Sequence, residues 1–447
     1  MTEINNKYKI TILTPTAVTY GKSIDSFEYL IRGNYFYRLD VEKILNHLIK
    51  EYPEAIHKIS DWVEHKEELI NQKANESRKT LRLNVFDFIE RYLRKPELNQ
   101  WLEQKIINDS DFIKYKIPSY LENNYARQIS THIKTADNKI YIPGSTIKGL
   151  IRTALINDYL YSTFEKGDTK EIDELKNKIN DYLNRDQVKI EHFAQEVISD
   201  YFKFRSGKYD AKNDIMKFIR VSDTNSLDPT DVCEVVHPII LTIKGREQPR
   251  QLNALEVIKS GVTFEFTIDI DIDFLRNTIN AANGDNKIKE DDKRYLDNTL
   301  KLLNITQNEI QTKPNSFLVN KVYQTIEDSL YHYLVFVSEK NESFIQNNKQ
   351  FKLPQSNEND ILAQIGWGSG FHTKTILFNF LNNFWGKDNS LKDIYRQIFQ
   401  KFNISRINKR NSQYSEMNLD AFPTSRRLVK INNFYQQLGW TKIERIQ

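Results

Sequence analysis

The chain has 447 residues, 39% of them hydrophobic, and one cysteine, so it is long enough for two or three domains and cannot form a disulfide within itself. It lacks an apolar run of the roughly 20 residues that a membrane-spanning helix needs, and its polar first ten residues lack the apolar core of a signal peptide, so we expect a cytoplasmic protein. The net charge of +4 is uneven, because residues 401–447 contain nine Lys and Arg but only three Asp and Glu, which indicates either a polyanionic partner or a solvated basic face.

The first half of the sequence changes from strand to helix patterns. Residues 8–40 are typical of strands, and the Gly-Asn pair at 33–34 is a hairpin signal between two of them. From about 41 to 122, apolar residues recur at spacings of three and four, which predicts helices. We then expect a strand, a turn at the Asp-Asn pair 137–138, a second strand, and helices from about 147 to 204.

The second half repeats this order. Alternating apolar residues predict strands at 216–223, 235–243, 261–272 and 426–433. Residues 274–350 return to helical spacing, and residues 361–381 predict a strand, a glycine loop and a helix. Two β-rich regions with helical interruptions predict an α+β fold.

The segment YIPGSTIKGLIRTAL raises the question of why one helix flank carries two like charges. Gly144 makes a turn and Ser145 can cap the helix, after which Lys148 and Arg152 share a flank. Like charges four residues apart cost about 0.2–0.5 kcal/mol, and the positive helix end adds to this. A bound phosphate would reverse both costs, and Gly149 would let a backbone come close. The alternative is a solvated basic flank.

The segment GWGSGFHTKT contains a second group of glycines. Gly366, Gly368 and Gly370 alternate, and Lys374 lies in the first turn of the helix expected next. The spacing matches neither a P-loop nor GxGxxG. Alternating glycines indicate unusual backbone torsions or the close approach of a ligand. The alternative is a tight turn between a strand and a helix.

The segment FPTSRRLV places two arginines at the start of a strand. Adjacent strand residues point to opposite faces of a sheet. At most one of Arg426 and Arg427 can therefore reach a ligand on the sheet face, and the other can pair with an acid.

The histidines and one aspartate are the remaining candidates for chemistry. His132, with Arg127 nearby, could contact RNA or act as a base, and His372 lies beside the second glycine segment. Asp223 could be a catalytic acid or cap a turn. The sequence has no HExxH, CxxC or paired His–carboxylate spacing, so we predict no metal site and no cofactor.

These segments resemble the RAMP superfamily of CRISPR proteins. YIPGSTIKGLIRTAL is similar to its strand–Pro-Gly-Ser–Lys-Gly–Arg segment, and IGWGSGFHTKT to its late glycine segment. The resemblance implies two RRM-like (ferredoxin-like) domains. We expect them at 1–225, with a helical insertion at about 41–120, and at 226–447, with an insertion at about 274–350.

Together with IRVSDT and FPTSRRLV, the segments most resemble the fifth-subunit family of the type III-A Csm complex. This implies a non-catalytic, RNA-binding protein of antiviral defence that caps the 3′-proximal end of the crRNA and aids its maturation. The implied partners are crRNA, target RNA, the RAMP backbone subunit and the small helical subunit, with host nucleases as further candidates and no membrane. The implied RNA contacts are Gly144, Ser145, Lys148, Gly149, Arg152, Gly366, Gly368, Gly370 and Lys374, with Arg127, His132, Arg426 and Arg427 added from the residue patterns.

The loop TPTAVTYG after the first strand departs from the family pattern. Ala17 and Thr19 stand where a histidine and a glycine are expected. Two alternative functions remain open. The chain could be a RAMP endoribonuclease that processes CRISPR transcripts with His132 or His372 as the base, or another RAMP subunit that forms the backbone or grips the 5′ handle.

Overall fold

The structure is a computed structural model. It describes residues 6–62, 84–108, 110–121, 128–204, 211–242, 244–248, 253–284, 290–339, 351–352, 354, 357, 359–369, 389–402, 425–431 and 434–446. None of the helices within these ranges is long and apolar enough to cross a membrane.

The fold is α+β, as the sequence predicts. The strands are β1 Lys7–Ile12, β2 Thr19–Asp25, β3 Tyr29–Arg32, β4 Tyr35–Leu39, β5 Ile113–Pro118, β6 Gln128–His132, β7 Ile219–Val221, β8 Cys233–Val236, β9 Pro238–Thr242, β10 Glu247–Gln248, β11 Ala254–Ile258, β12 Thr263–Ile270, β13 Phe351–Lys352, β14 Ile361–Gln364, β15 Ser425–Ile431, β16 Phe434–Gln437 and β17 Trp440–Arg445.

Helices lie between some of these strands. They are α1 Val41–Glu51, α2 Val85–Phe88, α3 Glu97–Asn108, α4 Gly144–Glu165, α5 Thr169–Leu183, α6 Ile190–Phe202, α7 Pro229–Val232, α8 Ile272–Gly284, α9 Glu290–Leu302, α10 Gln307–Thr312, α11 Asn315–Glu339 and α12 Asn389–Phe402. Residues 55–62 are also helical.

The largest sheets each have five strands. The first has the order β14-β17-β1-β12-β7, and β1 is antiparallel to both of its neighbours. Alternate residues of β1, namely Tyr8, Ile10 and Ile12, are buried, because one face of the sheet covers the core. Helices α4 and α11 pack against each other. This sheet contains strands from both sides of the predicted division at 225/226.

The structure describes three further sheets. A second five-stranded sheet has the order β10-β9-β15-β16-β13, a four-stranded sheet has the order β2-β6-β11-β8, and a three-stranded sheet has the order β3-β4-β5. We call the four-stranded one the third sheet. The helices between β4 and β5 have a separate core that includes Leu39, Ile44, Leu48 and Leu102. The predicted insertion therefore packs around its own apolar cluster.

Local patterns predicted many of the elements. The hairpin of β3 and β4 turns at Gly33, which has a φ of +57°, as its sequence predicts. The expected helices at 147–204 and 274–350 are present as α4 to α6 and α8 to α11, with non-helical connections between them, for example at 184–189 and 303–306. Several strands differ from the prediction. Strand β5 lies inside a region predicted to be helical, and β11, β16, β17 and the two-residue strands β10 and β13 were not predicted. The second strand expected after the turn at 137–138 is only an isolated bridge at Ile140.

Candidate nucleic-acid interface

A surface groove of about 400 Å³ brings three distant segments of the chain together. One wall is the loop between β1 and β2, which we call the N-terminal loop (residues 13–18). The second wall is the first two turns of α4, and the third is the turn that follows β14. The lining residues are Val18, Thr19, Thr146, Gly149, Leu150, Thr153, Gln364, Ile365, Gly366, Trp367 and Ser369.

The N-terminal loop is held from the side of the third sheet. Thr16 and Ile258 exchange backbone hydrogen bonds of 3.1 and 2.8 Å. The N–H of Ile133 donates to the carbonyl of Val18 at 2.8 Å. Backbone groups of β11 and of the residue after β6 therefore hold this wall of the groove.

The same loop is held from the side of the first sheet. The N–H of Gly439 donates to the Pro15 carbonyl at 3.0 Å, and the N–H of Trp367 donates to the Ala17 carbonyl at 2.7 Å. Ala17 is fully buried in a small core with Leu438 and packs near Trp367. The loop is thus ordered before any ligand arrives, which lowers the entropic cost of binding.

The second glycine segment meets the N-terminal loop directly. Gly366 has a φ of +78°, and a Cβ there would lie 2.3 Å from the Ala17 carbonyl oxygen. Gly368 also has a φ of +78°, but its nearest neighbour is the end of the Leu438 side chain at 3.0 Å. Packing against the loop explains Gly366, so Gly366 and Gly368 belong to a tight turn that builds one wall of the groove.

The two glycines of the first segment differ in their surroundings. A Cβ on Gly144 would lie 2.4 Å from the Val221 carbonyl oxygen, so this glycine lets α4 begin against β7. Gly149 lies in the helix with no atom within 4 Å of the place a Cβ would take, and it faces the groove. A ligand in the groove can therefore approach the backbone of α4 at Gly149.

An acidic residue occupies the start of α4. The N–H of Gly144 donates to Oδ1 of Asp223 at 2.7 Å. Asp223 therefore caps the start of α4 from a distant part of the chain, whereas the sequence suggested a catalytic acid or the cap of a turn. Ser145, which was expected to cap the helix, instead lies exposed in its first turn, and the N-cap residue is Pro143.

A carboxylate also faces the two cations of α4. Nη2 of Arg152 lies 3.5 Å from Oδ2 of Asp214, and its guanidinium stacks 3.9 Å above the Phe202 ring. Burial lowers the pKa of the half-buried Lys148, while Asp214 opposes this shift. Asp214 thus relieves the repulsion between Lys148 and Arg152 that the sequence left unexplained.

The arginines of β15 point to opposite faces, as strand alternation predicts. Arg426 is buried, and burial lowers its pKa to about 10. Arg427 is exposed and stacks 5.0 Å from the centre of the Trp367 ring, on the groove wall. Of this pair, only Arg427 is accessible to a ligand at the groove.

His132 does not fit the predicted RNA contact, because its side chain is fully buried. Burial lowers its pKa to about 4, although the Ile133 carbonyl 2.9 Å from Nδ1 and the carboxylate of Glu256 both raise it. The imidazole is therefore neutral at pH 7 and out of reach of a ligand. Its backbone, by contrast, continues directly into Ile133, which holds the N-terminal loop.

A protein-family model covers all the segments that line the groove. The RAMP superfamily model matches residues 9–403. This chain belongs to the RAMP superfamily. The match includes both glycine segments, the N-terminal loop and the helices inserted between strands.

Individual relatives of this RAMP protein agree with the match. It is 23% identical to a protein of Methanocaldococcus jannaschii described as CRISPR system Cms protein Csm5, over 99% of this chain and 90% of that protein. Its fold is similar to a chain in a cryo-EM structure of a Csm–crRNA–target RNA ternary complex of a type III-A CRISPR-Cas system, with a TM-score of 0.59, 19% identity and coverage of 98% and 100%. It is also similar to T. onnurineus Csm5, with a TM-score of 0.56, 15% identity and coverage of 97% and 99%.

Four residues singled out in the RAMP segments and beside them lie outside the described residues. They are Arg127, Gly370, His372 and Lys374. In the part of the chain that the structure describes, no group of three or more His, Cys, Asp or Glu side chains could hold a metal ion.

Some groove residues of this RAMP protein were not predicted from the sequence. Val18 and Thr19 belong to the loop that departs from the family pattern, and Gln364 and Trp367 lie two residues before and one residue after the predicted Gly366. The position of TPTAVTYG directly after the first strand was the signal for the loop. For Gln364, the signal was its place at the end of a strand that runs into the glycine turn.

Proposed function

We propose that this protein is a crRNA-binding subunit of a type III-A Csm effector complex. Membership of the RAMP superfamily and the similarity to Csm5 over almost the whole chain support the proposal. The observation that carries it is the groove, where a helical glycine lies open between the N-terminal loop and the glycine turn. Such a site accepts a backbone rather than a compact metabolite.

The lining of the groove favours RNA among polyanions. The polar side chains of its described lining are uncharged: the hydroxyls of Thr19, Thr146, Thr153 and Ser369, the amide of Gln364 and the indole of Trp367. Thr153, Gln364 and Ser369 already donate to the carbonyls of Gly149, Leu438 and Gly366, so the hydroxyls of Thr19 and Thr146 are the groups we assign to a 2′-hydroxyl or a base edge. Phosphates bind cations on the rim, where Arg427 lies exposed. We therefore expect RNA to bind more tightly than DNA of the same sequence.

The finer role is also a proposal. We infer that the protein caps the 3′-proximal end of the crRNA, aids its maturation, and contacts the backbone subunit and the small helical subunit. The order β17-β1-β12-β7, with α4 and α11 as the intervening helices, supports one RRM-like unit. The resemblance in the sequence supports a second such unit.

We propose that the subunit is non-catalytic. Burial of His132 speaks against it as a general base, because a base must reach the proton that it abstracts. His372 is the candidate base that remains for the endoribonuclease alternative. Cleavage of repeat RNA by the purified protein, lost on His372→Ala, would establish that alternative.

The test of RNA binding uses a side chain placed into the open space at Gly149. Gly149→Glu puts a negative charge into the groove, and we expect the affinity for single-stranded RNA to fall at least about tenfold, or 1.4 kcal/mol. The fold should not suffer, because no atom lies within 4 Å and glutamate favours helices more than glycine does. Asn177→Glu, at an exposed position of α5 outside the groove, is the matched control.

The measurements are dissociation constants for RNA and for DNA of the same sequence at several salt concentrations. Wild type should show a clear loss of affinity with salt, since phosphate contacts release counterions. Equal RNA affinities for Gly149→Glu and Asn177→Glu would rule out the groove as the RNA site. Absence of RNA binding by wild type would contradict the proposed function itself.

A further inference from the structure

A buried ion pair lies behind the N-terminal loop rather than in the groove. Glu256 of β11 is fully buried, and its Oε2 contacts Nζ of Lys134, two residues after β6. The same oxygen accepts hydrogen bonds from Oγ1 of Thr131 at 2.7 Å and from the backbone N–H of His132 at 3.1 Å. A single carboxylate oxygen thus gathers three donors from one stretch of chain.

The Glu256 carboxylate accepts a backbone hydrogen bond just past the point where β6 and β11 stop pairing. Strands β6 and β11 are parallel and pair only at Ile129 with Ala254 and at Ser130 with Leu255. Beyond that point, the His132 N–H finds its acceptor on the side chain of Glu256 instead of on a backbone carbonyl. The Glu256 side chain therefore continues the hydrogen bonding between β6 and β11 past the last backbone pair.

The extended connection leads to the groove wall. Ile133, directly after His132, donates to the Val18 carbonyl, and Ile258, two residues after Glu256, exchanges hydrogen bonds with Thr16. Ile133 and Ile258, the two residues that hold the N-terminal loop on this side, therefore lie one residue after His132 and two residues after Glu256, which the buried carboxylate joins.

We propose that Glu256, paired with Lys134, is a positioning residue that holds the N-terminal loop in its RNA-binding conformation. The inference rests on the proposed function, because the groove is taken to be the RNA site. A buried ion pair is costly to desolvate and is often replaceable by apolar residues without loss of stability. We therefore assign the pair a role in positioning β6 relative to β11 rather than in stabilising the fold.

The electrostatics agree with a charged pair. Burial by itself raises the pKa of Glu256, but Lys134 and the hydrogen bond from Thr131 lower it below its ordinary value. The carboxylate is therefore ionised at neutral pH and able to accept all of its hydrogen bonds.

Two uncharged double variants separate positioning from stability. Lys134→Met with Glu256→Gln keeps an amide oxygen as an acceptor for the His132 N–H, whereas Lys134→Met with Glu256→Met removes that acceptor. Both lose the same two charges. We expect RNA affinity within about threefold of wild type for the Gln variant and at least about tenfold weaker for the Met variant.

Hydrogen exchange gives a readout that does not depend on RNA. In the Met variant, the amides of Ile133 and Trp367 should exchange faster than in the Gln variant, because their acceptors lie on the N-terminal loop. Amides of α1, which belongs to a separate core, should exchange at wild-type rates in both. Equal affinity together with equal exchange in the two variants would overturn the proposal.

A third variant covers the case in which the Met variant fails to fold. Glu256→Asp keeps the charge beside Lys134 but withdraws the carboxylate by one methylene from the His132 N–H. We expect faster exchange at Ile133 and an RNA affinity lowered about fivefold or more. Wild-type exchange and affinity in a folded Asp variant would also overturn the proposal. Wild type that binds no RNA would contradict the proposed function, while the exchange data would still decide whether Glu256 holds the loop.

Discussion

The two glycine segments look alike in the sequence but serve the groove in different ways. In the turn after β14, Gly366 is required because the Ala17 carbonyl oxygen lies where a Cβ would be. In α4, Gly144 is required for a similar reason beside Val221, but Gly149 has no neighbour within 4 Å. A glycine in a packed position supports the fold, whereas a glycine in open space leaves room for a ligand.

Two arginines near the groove, Arg152 of α4 and Arg427 of β15, differ in the same sense. The guanidinium of Arg152 contacts Asp214 and Phe202, so it already makes its main interactions within the protein. Arg427 is exposed on the Trp367 ring at the groove wall. The comparison predicts that Arg152 contributes to stability and that Arg427 is free to contribute to RNA binding.

The largest expected effect is on the packed turn. Gly366→Ala should lower the free energy of unfolding by about 2–5 kcal/mol, because a positive φ and a clash with the Ala17 carbonyl both oppose it. Gly368→Ala has the same φ but meets only the movable end of Leu438, so it should cost about 1–2 kcal/mol. Denaturant unfolding of both variants measures the difference, and equal costs would contradict the role given to the carbonyl.

A smaller loss is expected at the start of α4. Gly144→Ala should cost about 1–3 kcal/mol, because the new methyl group meets the backbone of Val221 without a positive φ to add strain. The hydrogen bond from Gly144 to Asp223 should weaken as the helix shifts. Thermal unfolding gives the measurement, and a variant as stable as wild type would show that the contact at β7 relaxes freely.

Single substitutions of Lys148 and Arg152 should have different effects on stability and on RNA affinity. Arg152→Ala should cost about 1–2 kcal/mol of stability, since it removes the stacking on Phe202 and the ion pair with Asp214. Lys148→Ala should cost less. We predict that RNA affinity depends more on Lys148, and affinity measured across salt concentrations tests this. A greater loss of affinity from Arg152→Ala in a stable protein would reverse the assignment.

The smallest effect on stability should have the opposite sign. Gly149→Ala should raise the free energy of unfolding by about 0.5–1 kcal/mol, because alanine favours the helix and meets no neighbour. RNA affinity should nevertheless fall, since the methyl group occupies space beside the backbone of α4. A stabilised variant with unchanged RNA affinity would mean that no ligand approaches the helix at this glycine.

Some features of this protein followed from the sequence because their causes are local. The sequence predicted helices from about 147 to 204, and in α4 the apolar residues Ile147, Ile151 and Leu155, which recur every four residues, are buried along one side. The Gly-Asn pair predicted the hairpin at 33–34, and alternation separated Arg426 from Arg427. Helical hydrogen bonds and tight turns join residues close in the chain, so short patterns contain the information.

Other features were decided only by the tertiary structure. Strand β17 pairs with β1 although more than 400 residues separate them, and no local pattern reports its partner. Asp214 pairs with Arg152 and lies near Lys148, and Gly149 and Gly366 line one groove, because the tertiary fold joins distant segments. The sequence by itself determined which residues form helices, turns and glycine segments; the sheet pairing determined which of those segments meet, since β-sheet hydrogen bonds act between strands regardless of their distance along the chain.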